Sequence, residues 1–115
     1  MRIEVSQGEL IDKITILEIK DERITDEEKL KNIRRELDVL MKYEFETILK
    51  KDLKFVNSVI WDLEDKIRNL EEDEDFGAEF IDKARNIYKF NDERARIKKL
   101  INVEQCSEII EEKSY

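Results

Sequence analysis

The chain has 115 residues, of which 45% are charged and 40% apolar, with two glycines, no proline and a net charge of −8. Abundant charge and aliphatic residues with almost no turn formers is the composition of long helices, here in one domain over residues 1–115 that needs no metal or disulfide to fold. The absence of histidine excludes imidazole-based hydrolases and Glu-x-x-His di-iron bundles, and the single cysteine excludes an internal disulfide and a conventional zinc site.

Arg2–Val5 alternates polar and apolar residues and reads as a short extended segment, of the kind that forms an edge strand. Ser6-Gln7-Gly8-Glu9 is a capping box, so a first helix is expected from about Gln7 to Arg23. Its stripe of Leu10, Ile11, Ile14, Leu17 and Ile24 is wide enough to dock on a bundle, yet Ile16 and Ile19 point away from it and Asp21 falls inside it. A helix with apolar residues on two faces is covered on both, and a second subunit is the expected cover for the Ile16 and Ile19 side. Trp61 is expected in the core or at the same interface.

Thr25-Asp26-Glu27-Glu28 is a second capping box. Leu30, Ile33, Leu37 and Leu40 follow at helical spacing, and Leu49, Leu53, Val56, Ile60, Leu63, Ile67 and Leu70 form an unbroken coiled-coil-like seam. The two runs are out of phase, which predicts a turn near Tyr43–Thr47 and a long helical hairpin over 26–71. Glu71–Gly77, "EEDEDFG", is a loop in which Asp73 or Asp75 caps the next helix and Phe76 packs inward. The Asp-Phe-Gly triplet lacks every other kinase signature. A fourth helix runs from about Ala78 to Asn102, followed by a short C-terminal helix. The fold class is therefore all-α, a bundle of four main helices.

Residues 83–99 carry seven basic and two acidic side chains, a net +5 within an acidic chain. This basic helix is expected to lie against acidic helices of its own bundle or of a partner subunit, with a phosphate or nucleic-acid site as the competing reading. Tyr88, Asn91 and Arg94 could form a buried polar network beside the stripe of Phe80, Ala84 and Ile87. Carboxylates at helical spacing, Glu9/Asp12, Glu18/Glu22, Glu64/Asp65 and Glu79/Asp82, are the remaining route to chemistry, through magnesium. All-α nucleoside triphosphate pyrophosphatases use such pairs one helix apart. Here Glu71/Glu74 precedes Glu79/Asp82 by too little to span two helices.

The residues Val5–Ile24, Trp61-Asp62, Glu64-Asp65, Asp75-Phe76-Gly77, Tyr88, Asn91-Asp92, Arg94-Ala95, Lys98 and Glu111–Tyr115 carry a resemblance. The chain is similar to a family of small uncharacterised bacterial and phage proteins, a domain of unknown function with the GELIDKITILEIK opening and the EEKSY end. The segment near 41–52 is shorter than the family pattern, and Cys106-Ser107 stands where Gly-Ser is expected. The resemblance implies a family rather than an activity, with a link to cell-surface polysaccharide metabolism. It places a ligand site at Glu9, Asp12, Lys13, Tyr88, Asn91, Asp92, Arg94 and Lys98.

The reading that follows is a cytoplasmic, non-enzymatic, homo-oligomeric interaction or scaffold protein, a dimer with room for another protein partner. It needs no cofactor and no metal. Net acidity argues against nucleic acid, and no apolar run reaches the ~20 residues that span a membrane. The alternative is a magnesium-dependent all-α hydrolase, or a binder of a phosphorylated or sugar-nucleotide ligand.

Overall fold

In the computed structural model, which describes residues 1–106, four helices follow in order: α1 (Gln7–Arg23), α2 (Glu27–Met41), α3 (Lys50–Glu72) and α4 (Ala78–Glu104). The short C-terminal helix expected from the sequence lies outside the described residues. Residues 1–5 form no strand, and Ile3 and Val5 stand exposed. With no second strand among the described residues, an alternating segment has no ladder to join.

Ser6 caps α1 as expected, its hydroxyl accepting from the Glu9 N–H at 3.1 Å. The Glu9 carboxylate reaches across to Lys98 of α4 rather than back to Ser6. Asp26, one residue later than expected, caps α2 by accepting from Lys29 N–H. The break between α2 and α3 falls over 42–49, at the expected turn. At the end of α3 the Asp75 N–H donates to Leu70 O at 2.9 Å, and Glu74 takes the left-handed conformation (φ 53°) that such a close requires. Asp75 then accepts from Gly77 N–H within the loop, and α4 starts without a side-chain cap, against expectation. Phe76 does not pack inward. It is 52% exposed and meets Phe80 edge-on, with ring centroids 5.2 Å apart.

The arrangement is set by α1, which packs against all three other helices, while α2 packs, among the described helices, against α1 alone. Around α1 each direction has its own occupant. Leu10, Ile14 and Leu17 lie on the face that Asp21 continues, and Asp21 accepts from Arg34 of α2 at 2.8 Å. Ile11 enters the core with Leu53, Val56, Ile97 and Ile101 of α3 and α4. Glu18 and Glu22, on the next strip, accept from Lys50 and Lys54 of α3. The surplus apolar residue Ile19 is 1% exposed within a single chain. The second face of α1 is thus covered by its own bundle, which corrects the assignment of Ile19 to a subunit interface. Asp21 on the core side is explained by Arg34.

The seam of α3 is buried at Leu53, Val56 and Leu63 and half-buried at Leu49, Ile60, Ile67 and Leu70. From residue 64 to residue 96 no side chain is fully buried. Beyond the Arg23–Asp62 ion pair at the end of α1, α3 and α4 continue as a two-helix arm.

Burial alone would lower the Lys50 ammonium, but its hydrogen bonds to Glu44 and Glu18 and their charges outweigh that and hold it above the ordinary lysine value. A raised folded value means a stabilisation present at neutral pH and lost as pH rises through the lysine range, above about 10.4. Lys50→Met is therefore expected to be less stable than wild type near neutrality, with the gap closing in strongly alkaline buffer. Urea titrations at both pH values check this.

Candidate functional site

The polar residues that the fold brings together lie on one strip of α1 and one of α4. Gly8, Asp12 and Thr15 recur at 4-3 spacing, and Arg94, Lys98 and Asn102 at 4-4 spacing. Both strips meet because the helices run antiparallel and close. A Cβ on Gly8 would fall 2.4 Å from the Lys98 carbonyl oxygen, so only glycine permits the approach. The Gly8 N–H, unpaired within a helix's first turn, donates to Asn102 Oδ1 at 2.7 Å.

Asp12 is the centre of the set, its side chain 1% exposed. Its Oδ1 accepts from Asn57 Nδ2 and from Arg94 Nε, both at 2.9 Å. Its Oδ2 accepts from Arg94 Nη2, and Lys98 Nζ lies 3.9 Å away while donating to Glu9 Oε2 at 2.8 Å. Thr15 donates to the Asp12 carbonyl and accepts from Asn57 Nδ2 at 3.0 Å. A carboxylate only accepts, so the Asn57 amide is fixed with nitrogen toward Asp12 and both its hydrogens engaged. Among the described residues two acids, Glu9 and Asp12, thus face two bases, Arg94 and Lys98, and their charges balance. Asn102 Nδ2 is buried without a partner among the described residues, an arrangement costing about 1–3 kcal/mol.

Of the expected site residues the structure joins Glu9, Asp12, Arg94 and Lys98. Lys13 is exposed, 4.0 Å from Glu9. Tyr88 is 54% exposed, so the expected buried Tyr88–Asn91–Arg94 network does not form; the helix turns Tyr88 away from the strip that holds Arg94. Asn91 is half-buried and Asp92 exposed. Asn57, Thr15, Gly8 and Asn102 were not anticipated, although the 3-4-4 polar stripe Asn91, Arg94, Lys98, Asn102 is visible in the sequence. The basic stretch divides: Arg94 and Lys98 cross to α1, whereas Arg96 pairs with Glu93 and Lys83 with Asp82 on the same helix. The Arg96 guanidinium holds the Glu93 carboxyl below its ordinary value.

Above Arg94, where α1 ends, a cleft of about 200 Å³ opens between α1, α3 and α4. Ile16, Ile19, Ile60 and Trp61 form apolar walls, Asn57 and Arg94 are polar lining, and Glu64, Asp65 and Arg68 complete it. Ile16 and Trp61, expected at an interface, line this cleft, with the Arg23 guanidinium 6.0 Å from the Trp61 ring. Among the described residues no three Asp, Glu or Cys side chains converge as metal ligands, and no helix is long and apolar enough to cross a membrane.

Over residues 1–115 the chain matches the model of a family of unknown function (DUF6165), and it belongs to that family. No match was found among curated proteins or among solved structures.

Asp12→Ala should lower stability by about 3–5 kcal/mol, because Arg94 and Asn57 lose their shared acceptor. The double variant Asp12→Leu/Arg94→Leu should lose less than the single one, and chemical denaturation of the set measures both. Gly8→Ala, which would stabilise an ordinary helix, should here cost about 1–3 kcal/mol by forcing α1 from α4.

Proposed function

We propose that the protein is a non-enzymatic, self-associating interaction protein of a reducing cytoplasm, acting as a dimer through its α3–α4 arm. The observation that carries this is the arm's unburied apolar surface. Residues 64–96 hold the last two positions of the seam, Ile67 and Leu70, yet none of these residues is fully buried. Ile81, Ala84 and Tyr88 recur at 3-4 spacing on the outer side of α4 and are exposed, Ile81 and Tyr88 each at 54%. Two helices cannot enclose a core, and a second pair supplies the missing half in the manner of a four-helix bundle. A twofold arrangement closes such a contact without further growth. No cofactor is required.

The polar cluster supports the same reading. Asp12 and Glu9 accept from Arg94 and Lys98, so their carboxylates serve the bundle, which leaves a magnesium-dependent hydrolase at this pair without support. A phosphorylated or sugar-nucleotide ligand is the weaker reading. Arg94 is bonded to Asp12, and Glu64 and Asp65 outnumber Arg68 in the cleft.

Light scattering at micromolar concentration is expected to give twice the chain mass. Ile81→Lys/Tyr88→Lys, at exposed positions, should halve that mass while leaving the helical circular dichroism intact. A monomeric wild type would sink the proposal.

A further inference from the structure

We infer that the cleft at the end of α1 is a binding site for a small organic cation, an ammonium carried on an apolar stem. The inference goes beyond self-association and does not use Ile81 or Tyr88, the exposed positions on which that reading is tested. Asn57 lines the cleft and is buried, 6% exposed. Both its amide hydrogens are engaged by Asp12 and Thr15, so Oδ1 is what it offers a ligand, and an oxygen there accepts from an N–H donor. Its orientation is fixed by a cluster that is itself buried, which makes Oδ1 a preorganised acceptor rather than a mobile surface amide.

The charges agree with that chemistry. Arg94 lines the cleft, but its guanidinium is bonded through two nitrogens to Asp12, and the two charges cancel. Arg23 is likewise paired with Asp62. Glu64 and Asp65 against Arg68 then leave the lining with a net negative charge, and none of these three forms an ion pair among the described residues. One turn along α3 from the carboxylates stand Ile60 and the indole of Trp61, and with Ile16 of α1 they give an apolar surface for the stem. A cleft of about 200 Å³ is smaller than the roughly 300–1,000 Å³ of drug-sized pockets and suits a single ring or short chain. An anion would meet two carboxylates and an amide oxygen against Arg68, and a neutral hydrocarbon would leave Oδ1 without a donor.

Trp61 is the sole tryptophan, so its emission reports directly on the cleft. The probes are phenethylammonium, neutral 2-phenylethanol and anionic phenylacetate, titrated into the full-length protein. Phenethylammonium is expected to shift the emission saturably, with 2-phenylethanol and phenylacetate at least about tenfold weaker, as one charge-assisted hydrogen bond implies. Glu64→Gln/Asp65→Asn, at positions outside the core, should weaken phenethylammonium about tenfold and leave 2-phenylethanol unchanged. The inference is overturned if phenethylammonium gives no saturable shift, if either other probe matches it, or if the double variant binds it as wild type does. Repeating the titration on Ile81→Lys/Tyr88→Lys separates the two ideas, since cleft binding should survive loss of the dimer.

Discussion

A carboxylate sits where a bundle of this size would ordinarily place a leucine. Asp12 is on the most enclosed helix, and taking its charge from water costs several kcal/mol unless donors surround it. That requirement reaches into the neighbouring helices: α3 must bring Asn57, α4 must bring Arg94, and α1 must come close enough for both. Glycine at position 8 allows the approach at one end, and the Glu9–Lys98 pair holds the flank. An interface of aliphatic residues alone tolerates a slip of one helical turn, because one isoleucine replaces another. The two-nitrogen contact between Arg94 and Asp12 has no substitute one turn away, so it fixes the register of three helices.

The molecule consequently has two unlike ends. At the base, α1 is enclosed on three sides and polar groups are matched to one another. Past Arg23 the same two helices run on without α1, and after Leu63 no seam position is fully buried. The cleft lies at the boundary, with a floor made of groups that the base fixes and walls that belong partly to the arm. Such a junction offers preorganised polar atoms beside apolar surface, which neither end presents alone.

Helix positions were legible in the sequence because capping residues and periodicity are local. Ser6 announced the first helix, and the phase shift between Leu40 and Leu49 announced the turn. What covers Ile19 was not legible, since a second apolar face says only that something packs there. The answer depended on α1 lying between its neighbours, which no local pattern encodes. Half of the polar cluster was anticipated, at Glu9, Asp12, Arg94 and Lys98. Asn57 and Thr15 were missed because a single uncharged polar residue beside an apolar stripe resembles ordinary variation. Tyr88 was misplaced for a related reason: membership in a shared motif says nothing about which side of the helix a residue faces.

The hydrogen bond from Gly8 to Asn102 joins residues 94 positions apart, and those that Glu9 and Asp12 accept from α4 span nearly as much. A nascent chain emerging from the ribosome can pair α1 with α2 early, and can bring α3 alongside. It cannot bury Asp12 in finished form until Arg94 has been made, 82 residues later. Until then the acid must stay hydrated, so the α1 face that will later meet α4 remains wet and loosely held. Local hairpins therefore come first, and closure of the longest loop comes last.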